Sequence, residues 1–207
     1  MTCGAVGRIR DEVGFMRRTG GWAPQAARPM LKRVMETERL RLRPLQVSDA
    51  DAFVALHADP RVNRFVGACS HRQAVERLTA IERQWAERGH GLCAVELRSN
   101  GDFIGRSGLQ YWERFDEVEL GWTLRAEHWG HGYATEAAQA CLAWGFATLD
   151  DAYFTALMRP GNEASVRVAE RLGFSPRRED LLHGHPVTVY AVDRQPPFEG
   201  DEDAQCL

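Results

Sequence analysis

HWGHGYATEAA, His128–Ala138, sets two glycines two residues apart between an alternating run and a helical one. Upstream, in VELGWTL, Val118, Leu120, Trp122 and Leu124 share one side of an extended chain, with Glu119, Gly121 and Thr123 on the other. Downstream, Ala134, Ala137, Ala138, Cys141 and Leu142 recur at helical spacing, with Thr135, Glu136 and Gln139 off that stripe. The glycines therefore stand where a strand turns into a helix. A helix N-terminus carries unpaired N–H groups and partial positive charge, and glycines let an anion approach those donors closely. A tight turn needing positive φ would use the same two residues.

Outward from this junction the period switches repeatedly. Leu40, Leu42 and Pro44 alternate with Arg39, Arg41 and Arg43 as a first strand. Ser48 is read as the cap of a helix carrying Phe53, Val54 and Leu56, and Ser70 as the cap of a second with Val75, Leu78, Ile81 and Trp85, ending at Gly89. GLCAVELR and DFIGRSGLQYW read as strands joined across Ser99–Asp102, because Asn-Gly tolerates positive φ. AYFTALM is a further strand, and Asn162–Leu172 a helix with Val168, Ala169 and Leu172 inward and Gly173 at its C-terminus. VTVYAV is a late strand.

The chain of 207 residues is long enough for one domain with a real core, and its 44% hydrophobic and 27% charged residues are ordinary for a globular protein. A formal net charge of −3 gives no footprint for nucleic acid, and nothing approaches a membrane-spanning apolar run. Five scattered cysteines without a C-x-x-C pair, and no apolar signal core at the N-terminus, fit a reducing cytoplasm rather than a disulfide framework. Residues 1–34 read as a flexible or loosely docked extension, 35–194 as the folded unit with Met35 a candidate start, and 195–207 as an acidic, Pro-broken tail.

No P-loop Gly-Lys-Ser/Thr follows the glycines. A dinucleotide fold is also disfavoured, because a third glycine is missing and antiparallel hairpins precede the turn. His183 and His185 have no third ligand at metal spacing, so a solvent-facing turn is the plainer reading and no metal site is expected. Arg177 and Arg178 read as a solvated charge run, with a cofactor's nucleotide end or an acidic substrate as the alternative. Trp112, Trp122, Trp129 and Trp144 are core or gap fillers by default and groove aromatics otherwise.

Taken in order, ERLRLRPL, VELGWTL, HWGHGYATEAA and RPGNEASVRVAERLGF resemble the GCN5-related N-acetyltransferase (GNAT) superfamily over roughly residues 35–192. The likeness is to its ribosomal-protein alanine/serine N-terminal (RimJ/RimL-type) branch. The resemblance implies an α+β, three-layer fold with a mixed, mostly antiparallel sheet flanked by helices and a splayed central strand pair. It implies acetyl-CoA as co-substrate, its pyrophosphate on the backbone amides of Trp129, Gly130, His131, Gly132, Tyr133 and Ala134. Leu124 would hold the pantetheine arm and thioester through its backbone, and Asn162 would contact the arm. Where the family usually begins the loop with Gln or Arg, this chain has Glu127, and where many members place a tyrosine acid it has Ala169. No metal is implied, and the resemblance allows a homodimer.

The implied reaction is acetyl transfer to a primary amine, a protein or peptide N-terminal α-amine first, with a small-molecule amine or a non-catalytic acyl-CoA sensor as alternatives. An α-amine, which ordinarily titrates near pH 7.7–8.0, asks less of a base than a lysine near 10.4. Glu119, opposite the apolar stripe of the strand beside the gap, is the candidate base, directly or through water; a solvated carboxylate on a wet sheet face is its bland reading. Ser165 is the candidate hydrogen-bond donor to the leaving sulfur, with Tyr133 or catalysis by positioning as alternatives.

Overall fold

A computed structural model describes residues 34–195. The readings made for 1–33 and 196–207, and so nearly all of the expected extension and tail, lie outside the described residues. The chain runs through β1 (Met35–Glu36), β2 (Leu40–Pro44), α1 (Ala50–Ala58), α2 (Pro60–Val66), α3 (His71–Arg88), β3 (Leu92–Leu97), β4 (Phe103–Trp112) and β5 (Glu117–Leu124). It continues with α4 (Tyr133–Thr148), β6 (Tyr153–Met158), α5 (Glu163–Arg171), β7 (Ser175–Leu182) and β8 (His185–Asp193). One eight-stranded sheet has the order β1-β2-β3-β4-β5-β6-β8-β7. Every neighbouring pair is antiparallel except β5 and β6, which run parallel. This is the α+β architecture expected from the sequence.

Local chemistry explains most of the elements. Ser70 accepts from the Gln73 N–H while the Gln73 side chain returns to the Ser70 N–H, a complete capping box for α3, and Gly89 ends that helix in the left-handed region. Leu40 and Leu42 are fully buried, while Arg43 between them and the next turn pairs with Asp49 and Glu96. α4 lies across β2, β4 and β5. Its buried stripe is Ala137, Ala138, Cys141, Leu142 and Gly145, small residues that let the helix approach the sheet closely. At Gly145 an added Cβ would stand 2.6 Å from Leu109 Cδ1 and 3.0 Å from the Phe154 ring. Beyond the end of α4, Arg194 donates to the carbonyls of Phe146, Leu149 and Asp151, supplying donors that the last turn lacks.

Several expectations are corrected. Ser48 does not cap α1: it sits inside a short 3-10 turn, Val47–Asp49, and the Asp49 carboxylate accepts from the Gln46 N–H. The hairpin between β3 and β4 places only Gly101 at positive φ, so the turn closes on one glycine rather than on an Asn-Gly pair. β1, α2 and β7 are additional to the elements expected from the sequence. β7 is an edge strand of charged residues, bonded to β8 alone and shifted in register near Pro176, so it shows no apolar alternation. Arg178 is not a solvated charge: it makes a bidentate pair with Glu117 of β5, at 2.9 and 2.7 Å. His183 and Gly184, by contrast, form the turn that was expected there: both take positive φ and join β7 to β8.

Gly145→Ala should destabilise the fold by about 1–3 kcal/mol, the usual cost of an extra methyl forced into a close-packed contact. Urea unfolding of the two proteins checks it; an unchanged midpoint would mean that Leu109 and Phe154 give way freely.

Candidate active site

The central feature follows from backbone alternation. β4 and β5 pair with Arg106 opposite Thr123, Gly108 opposite Gly121 and Gln110 opposite Glu119, and the Arg125 N–H bonds the Ile104 carbonyl at 2.8 Å. In such a ladder alternate residues turn their N–H and C=O to opposite edges. Residues 119, 121 and 123 therefore address β4, and Val118, Leu120, Trp122 and Leu124 address β6. Yet β5 and β6 are in register only at Glu119 and Thr155, with the Thr155 hydroxyl bonding the Val118 carbonyl at 3.3 Å. Past that point the strands part, and the main-chain groups of Trp122 and the N–H of Leu124 face a gap. The Leu124 carbonyl is taken by the Trp129 indole N–H at 2.9 Å.

Two parallel strands, each followed by a helix, place the N-termini of α4 and α5 at the same mouth of this gap. At α4 the N-cap is Gly132, at φ +80°, without a side-chain cap, and Gly130 sits at φ +81° with open space where a Cβ would be. The N–H groups of Gly130, His131, Gly132, Tyr133 and Ala134 are left for an outside acceptor, whereas the Trp129 N–H bonds the Ala126 carbonyl. Trp129 thus braces the loop and does not offer a main-chain donor, a departure from its expected place in the cradle. At α5, Asn162 caps the helix by accepting from the Ser165 N–H at 3.3 Å, which leaves its NH2 group free of that role.

Thr37 and Arg39, on the opposite side of the loop, hold it through Glu136. Glu136 receives the Thr37 hydroxyl at 2.6 Å, the Arg39 N–H at 3.0 Å and the Arg39 Nε at 2.7 Å, while Arg39 Nη1 donates to the His131 carbonyl at 3.0 Å. The Arg39 guanidinium also lies over the Tyr133 ring, which stacks on His131. Burial pushes the Glu136 carboxyl up, but the Thr37 and Arg39 donors outweigh it and hold it below its usual range. In the sequence Glu136 stands out only as lying off the apolar stripe; its partners are almost a hundred residues away, and no local signal marks them.

Behind the gap opens a cleft of about 690 Å³, lined among others by Glu119, Arg106, Trp112, Trp122, Asn162 and Ser165. Glu119 sits half-buried on its floor and accepts from the Trp112 indole N–H at 2.5 Å. Burial pushes its pKa up; the Trp112 indole, the Arg106 guanidinium and the Leu157 N–H pull against burial and do not cancel it. Ser165, expected near the leaving group, lines the same cleft from the first turn of α5. Ala169 is fully buried, so no hydroxyl stands at the alternative acid position. Among the described residues no group of three or more His, Cys, Asp or Glu could hold a metal, and no helix is long and apolar enough to cross a membrane.

Comparison with known proteins follows the same lines. Residues 39–175 match the family model of the acetyltransferase (GNAT) domain. YkkB of Bacillus subtilis (strain 168) is 36% identical over 165 residues, 77% of this chain and 95% of the relative. An acetyltransferase from Agrobacterium tumefaciens str. C58 has a TM-score of 0.71 at 32% identity, covering 84% of this chain and 100% of that one. RimL, a ribosomal L7/L12 alpha-N-protein acetyltransferase in complex with coenzyme A, has a TM-score of 0.66 at 18% identity, over 77% of this chain and 97% of that one, which shows the fold alone.

Glu136→Ala should release Arg39 and loosen the loop, raising amide hydrogen exchange at residues 130–134 while α3 stays protected. Because the folded carboxyl is held low, this bracing is present above the ordinary glutamate range and is lost as pH falls through the folded pKa. Exchange at 130–134 that is equal in the two proteins at neutral pH would show that the loop does not depend on the clamp.

Proposed function

The chain belongs to the acetyltransferase (GNAT) family and is an N-acetyltransferase, and we propose that it moves the acetyl group of acetyl-CoA to a primary α-amine, first that of a protein or peptide N-terminus. The observation that carries this reading is the placement of Glu119, a carboxyl raised by burial, on the strand whose free edge faces the gap. The residues fit the co-substrate. The uncapped N-terminus of α4, with glycines at positive φ, would take its pyrophosphate on the N–H groups of Gly130, His131, Gly132, Tyr133 and Ala134. Leu124, through its N–H, and Asn162, through its NH2 group, would hold the arm. Acetyl-CoA supplies an activated thioester, whose C–S bond breaks as the C–N bond to the amine forms.

Glu119 accepts the proton of the acceptor's ammonium, directly or through one water, and the neutral amine becomes the nucleophile. Its raised pKa narrows the gap to an α-amine, which is why an α-amine suits this site better than a lysine. Main-chain N–H groups on the free edge of β5 steady the negative charge that gathers on the acetyl oxygen, an effect worth about 3 kcal/mol per well-placed donor. Ser165 donates a hydrogen bond toward the departing sulfur, and the second proton that the attacking nitrogen sheds as the amide forms passes through solvent at the mouth of the gap to the thiolate. Glu127 adds a carboxylate near an anion site, and the main-chain cradle carries the binding in spite of it. The α-amine reading is in keeping with RimL, an alpha-N-protein acetyltransferase that shares this fold.

Calorimetry with acetyl-CoA should give binding in the parent and none in Gly132→Asp, since aspartate tolerates the left-handed conformation and puts a carboxylate into the cradle. Absence of binding in the folded parent would end the cofactor assignment. Amine-dependent thiol release should fall about 10²- to 10⁴-fold in Glu119→Gln, the range for loss of a general base. The acid limb of kcat/KM in the parent should lie above the ordinary glutamate pKa of about 4.3, because the base works only when ionised and burial raises its pKa. That limb should vanish in Glu119→Gln; its survival there would assign the base to another group.

A further inference from the structure

Arg106 is a half-buried cation whose side chain makes no hydrogen bond or ion pair with any described residue. It stands on β4 opposite Thr123, on the same sheet face as Glu119, and its guanidinium reaches over Gly121, where an added Cβ would lie 3.8 Å from Nη1. Its Nε is buried and meets no acceptor among the described residues. Glu119 acts on it as a charge at a distance, while Arg77 of α3 repels it, and burial weakens its hold on its proton. Leaving a guanidinium in this state is costly, and proteins normally pair such groups or place them where a ligand will. Glu119 is the one anion among the described residues whose charge acts on Arg106. The nearby His57 is held neutral, its pKa pushed down to about 4 first by burial and then by Arg106 and Arg77, against the Phe53 carbonyl that it bonds. Five arginines and three glutamates line the cleft, so its net field is positive.

The cradle for the co-substrate's phosphates lies at the N-terminus of α4 and uses main-chain donors. Arg106 lines the cleft that also holds the candidate base. Glu119 and Gly121 are successive residues on this face, about 7 Å apart along the strand. The Glu119 side chain and the guanidinium over Gly121 therefore stand on one face of the sheet, one position apart along the strand, and line the same cleft. A molecule with its amine at Glu119 and an anion at Arg106 needs those two groups only a few bonds apart. In an α-amino acid the nitrogen and the nearer carboxylate oxygen are about 3 Å apart by standard bond lengths, which meets that condition.

We propose that Arg106 binds the acceptor, and that the acceptor of this enzyme carries a carboxylate within a few bonds of the amine that is acetylated. The inference rests on the acetyltransferase reading of the same cleft. Two sources supply this chemistry, a free amino acid through its α-carboxylate and a peptide that begins with Asp or Glu through its side chain. A planar, always-charged fork suits either, because it grips a carboxylate with two parallel hydrogen bonds. The same fork leaves a neutral amide or a bare alkylamine with an unanswered charge beside it, which is a basis for selectivity.

The test is thiol release from acetyl-CoA with matched acceptors: free amino acids, their carboxamides, the decarboxylated amines, and short amidated peptides beginning with Asp or with Ala. Carboxylate-bearing acceptors should exceed their neutral counterparts by roughly 100-fold in kcat/KM, the scale expected when a buried charge loses its partner. The free amino acid arm and the Asp-peptide arm tell the two sources apart. Arg106→Gln should collapse the ratio to near unity while calorimetric binding of acetyl-CoA is kept, and Arg106→Lys should restore part of it. Equal use of neutral acceptors by the parent protein overturns the proposal, as does a ratio that survives in Arg106→Gln. If Arg106→Gln fails to fold, the acceptor series on the parent and on Arg106→Lys decides. Acetyl-CoA binding with turnover of neutral amines refutes the acceptor inference alone. No acetyl-CoA binding in the folded parent refutes the underlying reading and the inference with it.

Discussion

A β-strand has two hydrogen-bonding edges, and β5 commits only one of them in full. Its pairing with β4 runs the length of the strand, from Glu117 opposite Trp112 to Leu124 opposite Gly105, while on the other side it meets β6 in register at one pair. Everything at the site depends on this asymmetry. Because polar groups alternate along a strand, complete pairing on the β4 side forces the N–H and C=O groups of Trp122 and Leu124 toward the side where β6 has drawn away. Unsatisfied main-chain groups inside a protein are costly. Here one carbonyl is answered by Trp129, and the remaining donors face the gap.

The same geometry determines which side chains share the cleft. Glu119, Gly121 and Thr123 stand on the face opposite the one packed by α4, and cross-strand neighbours on β4 bring Gln110 and Arg106 beside them. The Arg106 guanidinium lies over Gly121, at ordinary contact distance from where a Cβ would stand. On the other face, Gly145 lets α4 sit close against Leu109 and Phe154, which keeps the helix N-terminus aimed at the end of β5. Arg194 ties down the far end of that helix. Chemistry on one side of the sheet thus leans on tight packing on the other.

Much of this is legible in local sequence, and particular residues show why. The capping box of Ser70 and Gln73, the glycine that ends α3, the alternation in Glu117–Leu124 and the Asn162 cap all act between residues a few positions apart. Strand phase alone singles out Glu119, and the structure gives that phase a physical content through burial beside the Trp112 indole. What escapes local reading is governed by distant partners. β7 carries four charged residues in a row and pairs on one edge only, so no pattern of its own announces a strand. Arg178 reads as solvated until the fold brings Glu117 to it. Trp129 reads as part of the cradle until its N–H and indole prove to be engaged within the loop's own framework.

By itself the sequence determined the order and type of most elements, the glycine turn before α4 and the family to which the chain belongs. Periodicity, capping and turn conformation are near-neighbour effects that survive without knowledge of the rest of the chain. The tertiary structure alone decided where β5 and β6 part, which N–H groups remain open, how Glu136 clamps a loop through residues 97 and 99 positions away, and that Arg106 lines the cleft of Glu119 with its buried Nε lacking an acceptor among the described residues. Those are properties of burial and of contacts between segments remote in sequence. The environment of a charge is set by what the folded chain places around it.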